Sequence, residues 1–210
     1  MYLNCQCQDE ADEISRRKEK LRNKAASIME LAFEDYPIGL RYTFGNLKSG
    51  FSPNAENFAH KYVADFDIYK SDGMGITFWG DVGRGKTYIA TAIMHEIIDT
   101  YGKLVRFVRA ADLVKASKFE DKMFEKYKNC SLIVLDDVGA EDDKGIDVLK
   151  RFLDYAEAYV IPLIVTSNLN FGDTARIEST EYRRIADRIA AHTIMMNVRG
   201  DNFRKEKNNV

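Results

Sequence analysis

The chain has 210 residues, of which 45% are hydrophobic and 30% are charged. This composition fits one globular domain with a small appendage and argues against disordered, collagen-like or fibrous structure. The formal net charge of −2 excludes a protein that coats nucleic acid through bulk charge alone. The sequence has neither the apolar run of about 18 residues that spans a membrane nor an export signal. We therefore expect a cytoplasmic protein with no membrane partner.

The N-terminal part is predicted to form one helix over residues 10–35, because apolar residues recur at helical spacing from Ile14 to Leu31. Residues 16–24 carry six basic residues and one acid on the remaining faces. Either a solvated helix face or a surface for a partner explains this charge.

Proline and glycine residues interrupt the helical pattern between residues 36 and 50. We therefore divide the chain into a helical, partner-docking segment over residues 1–40 and a main domain over residues 41–210.

In the main domain, helices and strands are expected to alternate. Helical segments are predicted over 54–70, 86–101, 110–127, 144–159 and 181–191, and strands over 76–79, 104–108, 132–135, 161–166 and 193–198. Strands that read as continuous apolar runs and are separated by helices indicate an α/β fold with a parallel sheet covered on both faces.

A phosphate-binding loop follows the first strand and opens the next helix. It matches the pattern GxxxxGK[ST] at every fixed position, and its residues are Gly80, Asp81, Val82, Gly83, Arg84, Gly85, Lys86 and Thr87. Backbone N–H groups of such a loop, together with the helix N-terminus, bind phosphate oxygens. Lys86 is expected to neutralise the β and γ phosphates of ATP, and the Thr87 hydroxyl to join a magnesium shell.

Two further apolar strands end in polar residues that this chemistry requires. Strand 132–135 runs into Asp136, the candidate magnesium ligand, and Asp137, the candidate group for polarising the attacking water, with Glu141 as the alternative. Strand 161–166 runs into Asn168, whose amide is expected between the γ phosphate and the water. An ordinary turn also explains Asn168 when it is considered alone.

These motifs, in this order, resemble the AAA+ ATPases, and in particular the DnaC-type helicase loaders and the IstB-like transposition ATPases. The resemblance implies a P-loop NTPase fold with a five-stranded parallel sheet, in which the Asn168 strand lies between the P-loop strand and the Asp136 strand. It also implies that Arg188, with Arg184 as a fallback, reaches the ATP of a neighbouring subunit as an arginine finger. A solvated helix arginine is the alternative.

Residues 199–204 resemble the short ending of these loaders, which implies that Arg204 senses the nucleotide. We expect no C-terminal helical lid domain. Relatives with a zinc-binding front end carry more cysteines than Cys5 and Cys7, and because two thiolates do not close a tetrahedral site we predict no zinc.

The resemblance leads to one main functional hypothesis and three alternatives. The main hypothesis is a slow ATPase that self-associates when bound to ATP and loads a hexameric, DnaB-type replicative helicase onto single-stranded DNA. A basic segment over residues 106–128, interleaved with aromatic residues, is the candidate DNA path, although most of those aromatics fit a buried face. The alternatives are an IstB-like helper of a transposase, a small-molecule P-loop kinase, and an ATP-locked interaction protein that never hydrolyses.

Overall fold

A computed structural model of the chain describes residues 3–116, 124–139, 141–177 and 179–203. It contains five parallel strands: β1 (Gly75–Trp79), β2 (Val105–Arg109), β3 (Leu132–Val138), β4 (Leu163–Ser167) and β5 (Thr193–Asn197). They lie in the order β2-β3-β4-β1-β5. The five-stranded parallel sheet is confirmed, as is the position of the Asn168 strand between the P-loop strand and the Asp136 strand.

Helices cover both faces of this sheet. They are α1 (Leu3–Ala32), α2 (Pro53–Ala64), α3 (Phe66–Ser71), α4 (Lys86–Tyr101), α5 (Ala110–Ala116), α6 (Asp143–Ala158) and α7 (Thr180–His192), with short 3-10 turns at Pro37–Arg41, Phe44–Asn46, Glu125–Tyr127 and Thr174–Arg176. None of the described helices is long and apolar enough to span a membrane.

The core consists of two apolar clusters, one on each face of the sheet. In β3, Leu132 and Val134 join the cluster that contains α1, α2 and α4, whereas Ile133 and Leu135 join the cluster that contains α5, α6 and α7. All four side chains are fully buried. When both faces of a strand are buried, nearly all of its side chains must be apolar, so the strand forms a continuous apolar run in the sequence. This is why β3 can be predicted from the sequence.

The C-terminal end of α1 packs against the main domain. Ile28, Ala32 and Phe33 are buried in the cluster formed with α2 and α4. The Phe33 ring stacks on His95 of α4 at 4.8 Å, and the Nε2 atom of His95 lies 3.0 Å from the Gly39 carbonyl oxygen. The segment after α1 is therefore attached to the helix that begins at the P-loop.

Some predicted boundaries differ from the observed ones. The helix predicted over 54–70 is two helices, because Asp65 leaves helical geometry (φ −100°, ψ 19°) and the chain turns to bury Phe66 completely. Strand β4 begins at Leu163 rather than at residue 161, since Pro162 has no N–H group for the sheet. Of the helical segment predicted over 110–127, residues 117–123 lie outside the described residues.

Candidate functional site

The P-loop connects the C-terminal end of β1 to the N-terminus of α4. Gly83 and Gly85 have φ angles of 83° and 88°, in the left-handed region that side chains disfavour. Helix α4 then begins at Lys86, with Gly85 at its N-cap. Because the first N–H groups of a helix have no partners within it, this end of α4 presents donors and a positive dipole end to an anion.

Lys86 is held by three oxygen atoms at the centre of the loop. Its Nζ atom donates to the carbonyl oxygens of Gly80 and Asp81 and to Oδ1 of Asn168, each at 2.8 Å. The side chain is 9% exposed. The bond to Asn168 joins the P-loop to the end of β4, so the structure brings together two of the side chains that the sequence predicts at the site.

Asp136 lies two residues before the end of β3 and accepts two hydrogen bonds through Oδ1. Thr87 Oγ1 donates to it at 2.8 Å and Thr166 Oγ1 at 2.6 Å. Burial raises the pKa of the Asp136 carboxyl above its ordinary value, and the hydrogen bonds from Thr166 and Thr87 oppose that shift. A buried carboxylate beside a hydroxyl is an oxygen donor set suited to a divalent cation.

This donor set fits Mg²⁺. Magnesium sites at phosphates commonly use only one or two carboxylates, with the remaining ligands coming from phosphates and water. Thr87 and Asp136 would hold the ion. The described side chains include no cluster of three or more His, Cys, Asp or Glu residues that could hold a metal ion. The side chains of Cys5 and Cys7 are not among the described ones.

Asp137 and Glu141, the two candidates for polarising water, differ in their environments. Asp137 is exposed and has a left-handed backbone (φ 60°), with its N–H group donating to Thr166 Oγ1 at 2.9 Å. Glu141 is engaged through Oε2, which accepts from the Gly139 N–H at 2.9 Å and from the Tyr182 hydroxyl at 3.1 Å.

A cleft of about 450 Å³ opens beside the P-loop. Its lining includes Gly80, Asp81 and Arg84 of the loop, and Asn168 lies in its wall. Arg199, which follows β5, contributes a cation on the other side. The cleft therefore places phosphate-binding groups and the predicted water-positioning amide around one space.

Arg188, the candidate arginine finger, lies away from the cleft. Arg188 is on α7, where its Nε atom donates to Oε2 of Glu157 at 3.1 Å and its Nη atoms bond to Glu157 and to Asp154. It lines an apolar cavity of about 210 Å³ at the end of the sheet where β4 and β5 begin, opposite the P-loop end. Arg204 lies outside the described residues. Arg184 is on the same helix as Arg188.

Sequence reasoning missed Thr166 as a site residue. It lies at the end of the same apolar strand that carries Asn168, and it is 1% exposed. The sequence does place a hydroxyl at the end of this apolar strand, two residues before Asn168, where a buried side chain needs a hydrogen-bond partner. Asp136 is that partner.

The comparisons with known proteins agree with this geometry. A family model described as IstB-like ATP binding protein matches residues 40–210. Among solved structures, the chain is similar to DnaI, with 23% identity and a TM-score of 0.65 over 79% of this chain and 92% of DnaI. It is also similar to the DnaC helicase loader, with 21% identity and a TM-score of 0.65 over 77% of this chain and 98% of the loader. It is also similar to AMPPCP-bound DnaA from Aquifex aeolicus (22% identity, 80% and 54%, TM-score 0.57).

No curated protein matches the chain. The structural similarities establish the fold, and the family match covers the P-loop, both polar strand ends and the late arginines. The chain therefore belongs to the family of IstB-like ATP-binding proteins, which have the P-loop NTPase fold of the AAA+ ATPases.

Proposed function

We propose that the chain is a slow, partner-stimulated ATPase that loads a hexameric, DnaB-type replicative helicase onto single-stranded DNA. The ATPase part rests on two hydrogen bonds that join the P-loop to neighbouring strands. Lys86 bonds to Asn168, and Thr87 bonds to Asp136, so the ends of β3 and β4 are fixed to the loop that binds phosphate.

Each side chain has a role that its position supports. Lys86 and the P-loop N–H groups bind the β and γ phosphates, and Thr87 and Asp136 hold Mg²⁺, which when bound neutralises phosphate charge. Asn168 accepts from Lys86 through Oδ1, so its amide NH₂ group is the part that donates to the γ phosphate or to the attacking water.

We assign Asp137 rather than Glu141 to polarising the water. An exposed carboxylate at the end of β3 accepts a water without first breaking a bond, whereas Glu141 would have to leave Tyr182 and the Gly139 N–H group. The kcat for ATP hydrolysis should therefore be at least tenfold lower in Asp137→Asn than in Glu141→Gln. The reverse order would move the role to Glu141.

We further propose that hydrolysis is completed between subunits by Arg188. A guanidinium from a neighbouring subunit stabilises charge on the transferring phosphoryl group. Arg188 first has to leave Asp154 and Glu157, and such half-exposed ion pairs are weak enough to exchange. The role of Arg204 as a nucleotide sensor remains a proposal based on the family resemblance.

The loader assignment rests on two supports. The fold is similar to DnaI and to a protein named as the DnaC helicase loader, and α1 presents many exposed charged residues ahead of its docked end. We propose residues 1–40 as the helicase-docking segment and residues 41–210 as the ATP-binding domain. Single-stranded DNA is proposed to bind the basic segment over 106–128, in which Phe107 and Tyr127 are buried and therefore serve the core.

A helper of a transposase is the second candidate, since the matching family model carries the IstB name. Both candidates use the same ATP site, so only the client separates them. Purified full-length chain, incubated with ATP and either a DnaB-type helicase or an IS21-type transposase, should retain the helicase in a pull-down. Retention of the transposase alone would favour the second candidate.

Loading itself is tested with an assay of helicase bound to closed circular single-stranded DNA. Wild-type chain with ATP should load helicase. Lys86→Ala should load none, because it lacks the phosphate-neutralising amine, and Lys61→Ala, which changes an exposed lysine of α2, should behave as wild type. Loading by Lys86→Ala at the wild-type level would contradict the proposal.

A further inference from the structure

The last described residues, 200–203, lie against the P-loop, and we call them the clasp. Asn202 Nδ2 donates to the Val82 carbonyl at 3.2 Å, and the Phe203 N–H donates to the Gly83 carbonyl at 3.0 Å. Arg84 of the loop donates in return to the Gly200 carbonyl. The clasp therefore bonds to three consecutive residues of the P-loop, more than 110 residues away in sequence.

These bonds matter because of how a P-loop binds an anion. Its N–H groups bind the phosphates, and its carbonyls need donors of their own; those of Gly80 and Asp81 accept from Lys86. The Val82 and Gly83 carbonyls receive theirs from Asn202 and Phe203. Because a peptide unit is planar, fixing a carbonyl also fixes the N–H group of the following residue. The clasp thus sets the direction of two donors of the phosphate site.

The packing at this contact is close. A Cβ atom added to Gly83 would lie 2.3 Å from Asn202 Oδ1, and one added to Gly85 would lie 2.8 Å from the Phe51 ring and 3.8 Å from the Phe203 ring. The Asp201 N–H donates to the Gly50 carbonyl at 3.0 Å, which attaches the clasp to the segment before α2. Gly83 of the loop therefore leaves room for Asn202 of the clasp, and Gly85 leaves room for Phe51.

We propose that Asn202 is a positioning residue that holds the P-loop in its phosphate-binding conformation through the Val82 carbonyl. The inference rests on the ATP-binding part of the proposed function and is independent of helicase, transposase or DNA. Because the contact is made to the loop and not to the γ phosphate, its loss weakens ATP and ADP equally. Turnover at saturating ATP changes little, since ground state and transition state lose the same interaction.

The test compares nucleotide affinities of the full chain, measured by titration calorimetry with ATP and with ADP. Asn202→Ala should raise both Kd values about fivefold, roughly 1 kcal/mol, through loss of the hydrogen bond to the Val82 carbonyl. Asn202→Asp should raise them further, because a carboxylate does not donate to the Val82 carbonyl and repels the phosphates. Asn57→Ala, which truncates an exposed asparagine of α2, is the matched control and should leave both values unchanged.

The Asp variant separates positioning from space filling. If Asn202 only filled space, the isosteric Asp would bind nucleotide better than Ala does, and that order would overturn the proposal. Kd values of both variants equal to wild type would overturn it as well. A wild-type chain that binds no nucleotide would contradict the proposed function, whereas variant affinities equal to those of a binding wild type would contradict the clasp alone.

Discussion

Thr166 provides the sharpest test of how the site is built, because its hydroxyl group bonds to two neighbouring residues of β3. Oγ1 donates to Asp136 Oδ1 at 2.6 Å and accepts from the Asp137 N–H at 2.9 Å. Thr166→Val replaces the hydroxyl with a methyl group of similar size. The buried carboxylate then loses a donor, and the Asp137 N–H loses its acceptor.

The expected cost follows from these two losses. A hydrogen bond to a charged group contributes about 1.5–3 kcal/mol, and a partly buried N–H left without an acceptor costs about 1 kcal/mol. Because both bonds share one oxygen atom, their losses do not add fully. We therefore expect Thr166→Val to lower the free energy of unfolding by about 3 kcal/mol.

Urea unfolding at neutral pH, with EDTA and without nucleotide, measures this cost in the absence of bound ligands. Thr166→Ser is the matched control, since it keeps the hydroxyl and loses only a buried methyl group, at about 1 kcal/mol. The reasoning would be refuted if the Val variant were as stable as wild type, or if Ser were the more destabilising substitution.

Three further predictions concern residues away from the phosphates. Val160 is half-exposed with a φ of 51°, so Val160→Gly should relieve backbone strain and raise the free energy of unfolding by about 0.5–1 kcal/mol in urea titrations; a decrease would contradict this. Burial raises the pKa of the Cys130 thiol to about 11, so at pH 8 roughly one thiol in a thousand is ionised. Peptide mass spectrometry should find Cys130 unmodified by iodoacetamide in the folded chain under conditions that alkylate the urea-unfolded chain. Glu157→Gln weakens the ion pair that holds Arg188 within its own subunit. Because Arg188 is then freer to reach a neighbouring subunit, the protein concentration that gives half-maximal ATP turnover should fall severalfold. An unchanged concentration would count against a role for Arg188 between subunits.

The sheet could be predicted from the sequence because its central strands β1, β3 and β4 are buried on both faces. Strands such as β3 leave no polar face, so each reads as an apolar run that stops where the site begins. The position of β4 between β1 and β3 came from the family resemblance, because apolar runs carry no information on strand order. The structure confirms it.

The parts that could not be predicted depend on contacts between distant segments. The bond from Thr166 to Asp136 joins two strands, and the bond from Asn202 to Val82 joins residues 120 positions apart. Neither leaves a local pattern of propensity or periodicity. The left-handed backbone of Asp137 likewise coincides with a register shift between β3 and β4, which no local pattern reveals.

We expect this P-loop to bind ATP through Lys86, with Asp136 and Thr87 holding the magnesium ion. Equilibrium binding of ATP to the wild-type chain and to Lys86→Ala, with and without Mg²⁺, is the most direct test. Wild type should bind ATP saturably and more tightly with Mg²⁺, and Lys86→Ala should lose at least tenfold in affinity. Equal ATP affinity of the two proteins would contradict this expectation.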